Sequence, residues 1–424
     1  MAVFLRTFGE EFEILVLVNL DESDAIGAVL ALQHVWFLVS KKVFDNCVIL
    51  LYPGAFTLMR SDTLNSATPG VVHIGIIGAG NISETHARAA REIEGVEIAA
   101  IHGRNHDKLA RLGQLYGGTV HEDFESFLDH RPMTMVAIGS PSGLHAEQGI
   151  AAARHGLHVL VEKPIDISTE RADRLIDECE RAGVKLGVFF QDRVAPDLIQ
   201  LKDLIEADRL GKPILASARV KWYRPPEYYG QSGWRGTRAM DGGGALINQG
   251  VHTVDLLLWL MGNVTRVQSK AITALHRIEV EDTIVATIEF SNGAVGTLEA
   301  ATSVYPGYPR RLELTGSEGT IIVEHDRIIS ADLREPLDNF AEMEAGDFNP
   351  AATSPIVSDV RGHRRILEDF IHAIETNGRP LCDGREGRRS VELVQAIYES
   401  SRTGQGVTLA CGSSPPHLQS VATL

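Results

Sequence analysis

From residue 71 onward, short apolar runs alternate with stretches in which apolar residues recur every three or four positions. Val72 to Ile77, Val96 to Ile101, Met133 to Gly139, His158 to Glu162 and Val184 to Phe190 read as buried strands. Ser83 to Ile93, Asp107 to Leu115, Leu144 to His155 and Thr169 to Ala182 read as the helices between them. Regular alternation of this kind predicts a parallel sheet with helices on both faces. Past residue 193 the pattern changes. Ile214 to Trp222, Arg266 to Leu275, Thr283 to Phe290, Ala294 to Ser303, Arg311 to Thr315, Thr320 to Glu324 and Ile328 to Leu333 read as strands, and Ser291-Asn292-Gly293 as a hairpin turn. These predict a second, mostly antiparallel sheet with one face covered. A helix is expected from Ala245 to Met261, stopped by Gly262. Two more, Val360 to Asn377 and Gly387 to Thr403, close the fold. Between strands and helices, Glu335 to Asp359 reads as an acidic surface loop, and residues 411–424 as a disordered tail.

The first seventy residues do not share this pattern. Ile14 to Val18 is apolar but follows Glu10, Glu11 and Glu13, so no basic segment leads into it as a secretory signal requires. Ala25 to Ser40 contains Gln33 and His34 and is shorter than the roughly 20 apolar residues of a membrane helix. A buried helix is the plainer reading. Met59 stands 19 residues before Gly78, after which the patterned chain begins in earnest. Two readings stay open: residues 1–70 as an N-terminal extension of uncertain order, or a natural start at Met59 with residues 1–58 as upstream sequence. N-terminal mass spectrometry of the native protein separates them.

The composition narrows the class. With 424 residues, 44% hydrophobic and 23% charged, the chain is long enough for two globular domains with an extra segment. A net charge of −16 disfavours a general binder of nucleic acid or anionic membranes. Cys47, Cys179, Cys382 and Cys411 are scattered without a C-x-x-C pair, which fits a reducing, cytoplasmic setting and neither a disulfide framework nor a metal site.

The strand Val72 to Ile77 runs into Gly78-x-Gly80-x-x-Ser83 and then a helix. This is the order a dinucleotide-binding loop needs. Gly78 permits the turn, Gly80 lets backbone approach a pyrophosphate, and Ser83 is small enough for helix and strand to pack. Amides at the helix start then face the phosphates. At the end of the next strand, about 24 positions on, stands His102-Gly103-Arg104-Asn105, with no acid to bind a ribose 2′-hydroxyl. Arg104 suits a 2′-phosphate, so NADP is favoured over NAD.

Ser140-Pro141-Ser142-Gly143-Leu144-His145 and Glu162-Lys163-Pro164 follow the next two strand ends, where ligands of open α/β sheets lie. Lys163, fixed by the proline, is expected to face the nicotinamide end of that crevice. The long loop Tyr223 to Arg235 carries aromatic rings that can stack on a sugar or nicotinamide. Arg224, Arg235 and Arg238 can hold a carboxylate or phosphate; the alternative use of such a surface is contact with another subunit. On the helix from Ala245, the residues Asn248, His252 and Asp255 are spaced to share one polar stripe among apolar neighbours. Alone, His252 would read as a core histidine satisfied by Asp255; with Lys163 converging on it, it reads as catalytic.

The glycine loop, Ser140-Pro141-x-x-x-His145, Glu162-Lys163-Pro164, Gln191-x-Arg193 and Gly242-Gly243-Gly244 leading to Gly250-x-His252-x-x-Asp255 together resemble the Gfo/Idh/MocA oxidoreductases, over about residues 71 to 410. The resemblance implies an α/β protein with a Rossmann domain (residues 71–192) and a second α/β domain (193–410) on a large, mostly antiparallel open sheet, whose last helices can return to the first domain. It implies Lys163 and His252 as catalytic residues, with Asn248 beside them, and NAD(P) as hydride carrier. The family often has an aspartate at the position of Asn248; an asparagine cannot take a proton and is expected to orient a substrate hydroxyl. Asn248 with Trp234-Arg235-Gly236-Thr237 resembles the branch acting on nucleotide-linked sugars and sugar acids. The expected cofactor contacts are Gly78, Gly80, Asn81, Ile82, Arg104, Asn105, Ser140, His145, Glu162, Lys163 and Gln191. The expected substrate contacts are Arg193, Tyr223, Trp234, Arg235, Asn248 and His252. No metal is expected.

The function this implies is NAD(P)-dependent hydride transfer at a hydroxyl or carbonyl carbon of a sugar, sugar acid, nucleotide-sugar or cyclitol. A hydrolase or epimerase cycling a tightly held NAD, and a non-catalytic dinucleotide-binding regulator, are the competing classes. A homodimer or homotetramer is expected from the wide sheet face.

Overall fold

A computed structural model describes residues 2–5, 14–18, 47–52, 55–60, 71–230, 233–337 and 359–409. The chain divides into two units, residues 1–70 and 71–424. In the first, strands β1 (Ala2–Leu5), β2 (Ile14–Val18), β3 (Cys47–Tyr52) and β4 (Ala55–Arg60) pair in that order into one sheet. The helix expected over 25–40, most of the acidic loop and the tail lie outside the described residues.

The second unit opens with a six-stranded, wholly parallel sheet. Its strands are β5 (Val72–Ile77), β6 (Val96–His102), β7 (Thr119–His121), β8 (Met135–Ile138), β9 (His158–Glu162) and β10 (Leu186–Phe189), ordered β10-β9-β8-β5-β6-β7. The chain order reverses between β5 and β8, and ligands of doubly wound sheets bind outside the strand ends at such a reversal. Helices α1 (Asn81–Arg91), α2 (His106–Tyr116), α3 (Phe124–Leu128), α4 (His145–Arg154) and α5 (Thr169–Ala182) cover the faces. Strands β8 and β9 are buried along almost their whole length, as parallel strands covered on both sides must be.

After a 3-10 turn at Gln191–Val194 and α6 (Pro196–Glu206), an eight-stranded sheet forms. It comprises β11 (Pro213–Lys221), β12 (Val264–Ile272), β13 (Thr283–Phe290), β14 (Val295–Ala301), β15 (Arg311–Gly316), β16 (Gly319–Glu324), β17 (Arg327–Leu333) and β18 (Val407–Thr408). All its pairings are antiparallel except β11 with β14. Along β13 every second residue from Ile284 is buried, while Val285, Thr287 and Glu289 stay exposed. The inner face packs on α6, on α8 (Val251–Met261, after the short α7, Pro226–Gly230) and on α10 (Gly384–Thr403). Helix α9 (Arg361–Glu375) crosses back, placing Ile366, Leu367, Phe370 and Ile371 in the core beneath β5 and α1. Val391 of α10 joins the Rossmann core, while Leu393, Val394 and Ile397 join the second.

The helix expected from Ala245 to Met261 is two structures. Ala245–Gly250 is a π-helix and only Val251–Met261 is α-helical. The reason lies in what the glycines admit. A Cβ on Gly244 would sit 1.7 Å from the Glu281 carbonyl oxygen, and one on Gly243 2.2 Å from the Tyr398 hydroxyl. Glu281 accepts from the Gly244 and Leu246 amides at 2.9 Å, and Tyr398 is held by Glu281 at 2.8 Å. Amides bound sideways by a buried carboxylate leave the ordinary helical ladder, and the wider turn absorbs the mismatch.

Candidate active site

A cleft of about 1750 Å³ runs from the carboxyl ends of the parallel strands to the inner edge of the second sheet. Such a volume exceeds the roughly 300–1,000 Å³ of single-ligand pockets and suits a dinucleotide with a second molecule.

At one end stands the glycine loop. Gly78 has φ +118°, and a Cβ there would meet the Ser83 hydroxyl at 2.5 Å and the Gly139 carbonyl oxygen at 2.8 Å. A Cβ on Gly80 would meet nothing, so open space lies where a phosphate would approach. Helix α1 begins at Asn81 with no side-chain cap, leaving first-turn amides toward the cleft, which Asn81 and Ile82 line. Beyond the end of β6, Gly103, Arg104, Asn105 and Lys108 line the wall. The Asn105 side chain also caps α2, accepting from the Lys108 amide at 3.0 Å. The nearby acid Glu84 is held by Arg111 at 2.8 and 2.9 Å and by Tyr116 at 3.2 Å. These residues fit a dinucleotide. The buried Oε1 of Gln191, also on the cleft wall, has no hydrogen-bond partner among the described residues and offers an acceptor to a bound group.

Ser140, His145, Glu162 and Lys163 line the middle of the cleft. His145 ties two strand ends together, its ring nitrogens 2.8 Å from the Pro164 and 2.9 Å from the Ser140 carbonyl oxygens. The Glu162 carboxylate is turned onto His86 at 3.0 Å and lies 3.4 Å from His363. Burial opposes its charge, but the neighbouring His363 and His86 outweigh this and hold it well below the usual carboxylate range. His86, Glu162 and His363 have the donor set and spacing of a metal site. His86 Nε2 and Glu162 lie at hydrogen-bond distance, 3.0 Å, while His86 Nδ1 and His363 Nε2 have no hydrogen-bond partner among the described residues.

The far end brings together Lys163 from the end of β9 and His252 from the first turn of α8. Lys163 Nζ donates to the Asn248 carbonyl oxygen at 3.0 Å. Burial lowers its pKa, opposed by Glu162, Asp192 and Asp241. His252 is buried at its Nδ1 edge, which lies 3.3 Å from Asp192 Oδ2, and burial pushes its pKa down to about 3. The Asn248 amide donates to Asp241 at 2.5 Å and accepts from Gln249 at 2.8 Å, leaving one N–H and one lone pair for a ligand. Burial pushes Asp241 up to about 6, against hydrogen bonds from Gly236 and Asn248. Around this end stand Trp222, Arg224, Tyr228, Trp234 and Arg235. The Arg235 guanidinium lies 4.5 Å over the Tyr228 ring, and Arg224 lies 5.6 Å from the same ring.

Four expectations need correction. Arg193 is not a substrate contact: it is 2% exposed, does not line the cleft, and grips Asp255 at 2.8 and 2.7 Å and Glu386 at 3.1 Å. That takes Asp255 off the expected polar stripe too; the π-turn rotates Asn248 relative to the α-helix, and only Asn248 and His252 reach the cleft. Tyr223 does not line it either. It bridges Ser303 and packs on Tyr305 with ring centroids 5.2 Å apart, because alternation along the extended chain points its neighbours Trp222 and Arg224 inward. Arg238 also faces away, bonded to Glu279. Sequence reasoning missed Asp192, Asp241 and Arg310. Asp241 had a signal, an acid directly before three glycines; Arg310 had none.

A parallel doubly wound sheet with an uncapped glycine turn, joined to a second domain that supplies polar groups to the same cleft, defines an NAD-binding oxidoreductase. Residues 72–190 match the oxidoreductase family's NAD-binding Rossmann fold and residues 198–322 the GFO/IDH/MocA C-terminal domain. The chain belongs to the Gfo/Idh/MocA family and is an NAD(P)-dependent oxidoreductase. It is 31% identical to the rhizopine catabolism protein MocA of Rhizobium meliloti, over 58% of this chain and 76% of that protein. It is 25% identical to the myo-inositol 2-dehydrogenase of Thermotoga maritima, over 80% of this chain and 98% of that protein. Among solved structures it is similar to the WlbA dehydrogenase of Bordetella pertussis in complex with NADH and UDP-GlcNAcA, with 31% identity, a TM-score of 0.73, and coverage of 80% of this chain and 98% of that one.

Proposed function

We propose that the protein oxidises a hydroxyl of an acidic, nucleotide-linked sugar, or reduces the corresponding carbonyl, with NAD(P) as partner. The observation that carries this reading is the meeting of Lys163 and His252 at one end of a cleft whose other end is the glycine loop. The cleft residues would hold NAD(P), whose nicotinamide would supply the hydride acceptor. Burial keeps His252 neutral, so its ring is in the form that takes a hydroxyl proton. Lys163 Nζ, tied to the backbone of Asn248, stands where it stabilises negative charge developing on the same oxygen. The remaining amide positions of Asn248 orient the hydroxyl. Lys163, His252 and Asn248 thus carry the chemistry. The guanidinium groups of Arg224 and Arg235, crowded over Tyr228, favour an anion on the substrate. UDP-GlcNAcA, bound by the WlbA relative, is of that class.

Within NAD(P), the reading favours NADP. The wall after β6 offers Arg104 and Lys108, and Glu84, the acid that lines this end of the cleft, is engaged by Arg111. The uncovered face of the eight-stranded sheet, with Leu215, Val285 and Val295 about half exposed, is read as the seat of a second copy in a homodimer or homotetramer. Among the described residues no helix is long and apolar enough to cross a membrane.

The test is turnover of UDP-GlcNAcA, UDP-GlcNAc and myo-inositol with NAD or NADP, followed by absorbance of reduced nicotinamide. Turnover of the acidic sugar is expected to exceed that of its neutral counterpart. Turnover of myo-inositol alone would overturn the assigned substrate class.

A further inference from the structure

Among family members an aspartate often stands at the position of Asn248, four residues before the histidine. Here that side chain is an amide and is occupied by Asp241 and Gln249. A different carboxylate reaches the histidine. Asp192, on the 3-10 turn after β10, places Oδ2 3.3 Å from His252 Nδ1. The same oxygen accepts from Arg310 Nη1 at 2.5 Å. Arg310 stands just before β15 and binds Asp326 with its other nitrogen. Three separate elements therefore converge on one ring edge.

We propose that Asp192 is a positioning residue: it holds His252 with the proton on Nδ1 and leaves the Nε2 lone pair to the cleft, in place of an acid at 248. The proposal rests on the reading of His252 as the base. Nδ1 is the buried edge of the ring and makes no hydrogen bond among the described residues; the Asp192 carboxylate approaches it at 3.3 Å. The distance is long and the alignment poor for a hydrogen bond, as is common in sites without ligand, where such contacts tighten on binding. Burial disfavours an Asp192 carboxylate, but Arg310 and His252 prevail and hold it down at about 2, so the charge is present throughout the working range. The other charged groups facing His252 are Lys163, Arg310 and Glu162. Lys163 and Arg310 disfavour a cationic ring, and Asp192 and Glu162 favour one. When the ring takes a substrate proton on Nε2, the imidazolium keeps its Nδ1 proton against Asp192, which stabilises the new charge without accepting it. Arg310 keeps Asp192 ionised and fixes its direction.

The competing role for Asp192 is counter-ion to Arg310 alone, and the experiment separates the two. Full-length protein with histidine labelled by the heavy nitrogen isotope reports the tautomer and titration of His252, assigned by the signal lost in His252→Gln. The expected result is a wild-type ring protonated on Nδ1, and in Asp192→Asn a mixed tautomer with a proton affinity lowered by about one pH unit or more. Turnover of UDP-GlcNAcA in Asp192→Asn should fall roughly 10- to 100-fold in kcat with cofactor KM within about twofold. Arg310→Gln, which leaves Asp192 without its cation, should move the titration of His252 upward, the opposite direction. A wild-type ring protonated on Nε2, or an unchanged ring in both variants, overturns the proposal. Full turnover by His252→Gln would instead remove the base itself, whatever the tautomer shows.

Discussion

Replacing Arg193 by leucine separates a structural from a ligand-binding arginine. Its guanidinium makes three charged hydrogen bonds, two to Asp255 and one to Glu386, inside the junction between α8, α10 and the turn after β10. Each such bond contributes about 1.5–3 kcal/mol. Leucine fills part of the volume but leaves Asp255, 1% exposed, without its cation; among the described residues Ser390, at 3.3 Å, still donates to it. Removing one partner of a buried pair costs about 3–5 kcal/mol, a large share of a domain's stability. The cost depends on pH. Burial already raises the Asp255 pKa although Arg193 opposes it, and losing Arg193 raises it further. An acid whose folded pKa is raised binds more protons folded than unfolded, so its contribution falls as pH rises through the window between the two values. The variant should therefore lag the wild type most at neutral pH and least near the usual carboxylate pKa. Denaturant midpoints across that range measure it, with cofactor and substrate KM alongside. Unchanged stability with a raised substrate KM would refute the structural role and return Arg193 to the ligand.

Further outcomes are expected. Lys163→Met and His252→Ala should each cut kcat by roughly 100-fold or more while nicotinamide fluorescence shows cofactor affinity within about threefold. Arg104→Ala should weaken NADPH about 10- to 100-fold and leave NADH nearly unchanged, as loss of one charged contact to a 2′-phosphate requires. Gly244→Ala places a Cβ 1.7 Å from the Glu281 carbonyl oxygen, so calorimetry should show a loss beyond the roughly 1–3 kcal/mol of ordinary overpacking. Light scattering should give a dimer or tetramer, and a charge placed at Val285 should break it.

The first half of the fold was legible because its signals are local. Strand β5 and helix α5 fall where the pattern placed them, helices α1, α2 and α4 differ by one or two residues at their ends, and the five-residue α3 was not expected. The misses have physical causes. Strand β7 has three residues, two of them exposed, too few to show alternation. The π-turn at Ala245–Gly250 depends on Glu281 and Tyr398, distant in sequence, so apolar spacing could only read it as ordinary helix. Arg193 looked like a site residue because a motif arginine reads alike whether it faces a ligand or Asp255. Asp192 lay between two motif positions and gained meaning only once His252 and Arg310 closed around it. That Lys163 and His252 line one cleft was legible because a lysine at a strand end and a histidine on an apolar helix each need a reason.

Direct hydride transfer between the nicotinamide and a sugar carbon at Lys163 and His252 is what the proposed function requires. The most direct measurement is transfer of deuterium from ring-deuterated UDP-GlcNAcA to added NAD or NADP, read by mass spectrometry of the reduced cofactor. One deuterium is expected on the reduced nicotinamide with wild type and almost none with Lys163→Met. Sugar turned over with no label left on the cofactor pool, or undiminished transfer by the lysine variant, would contradict it.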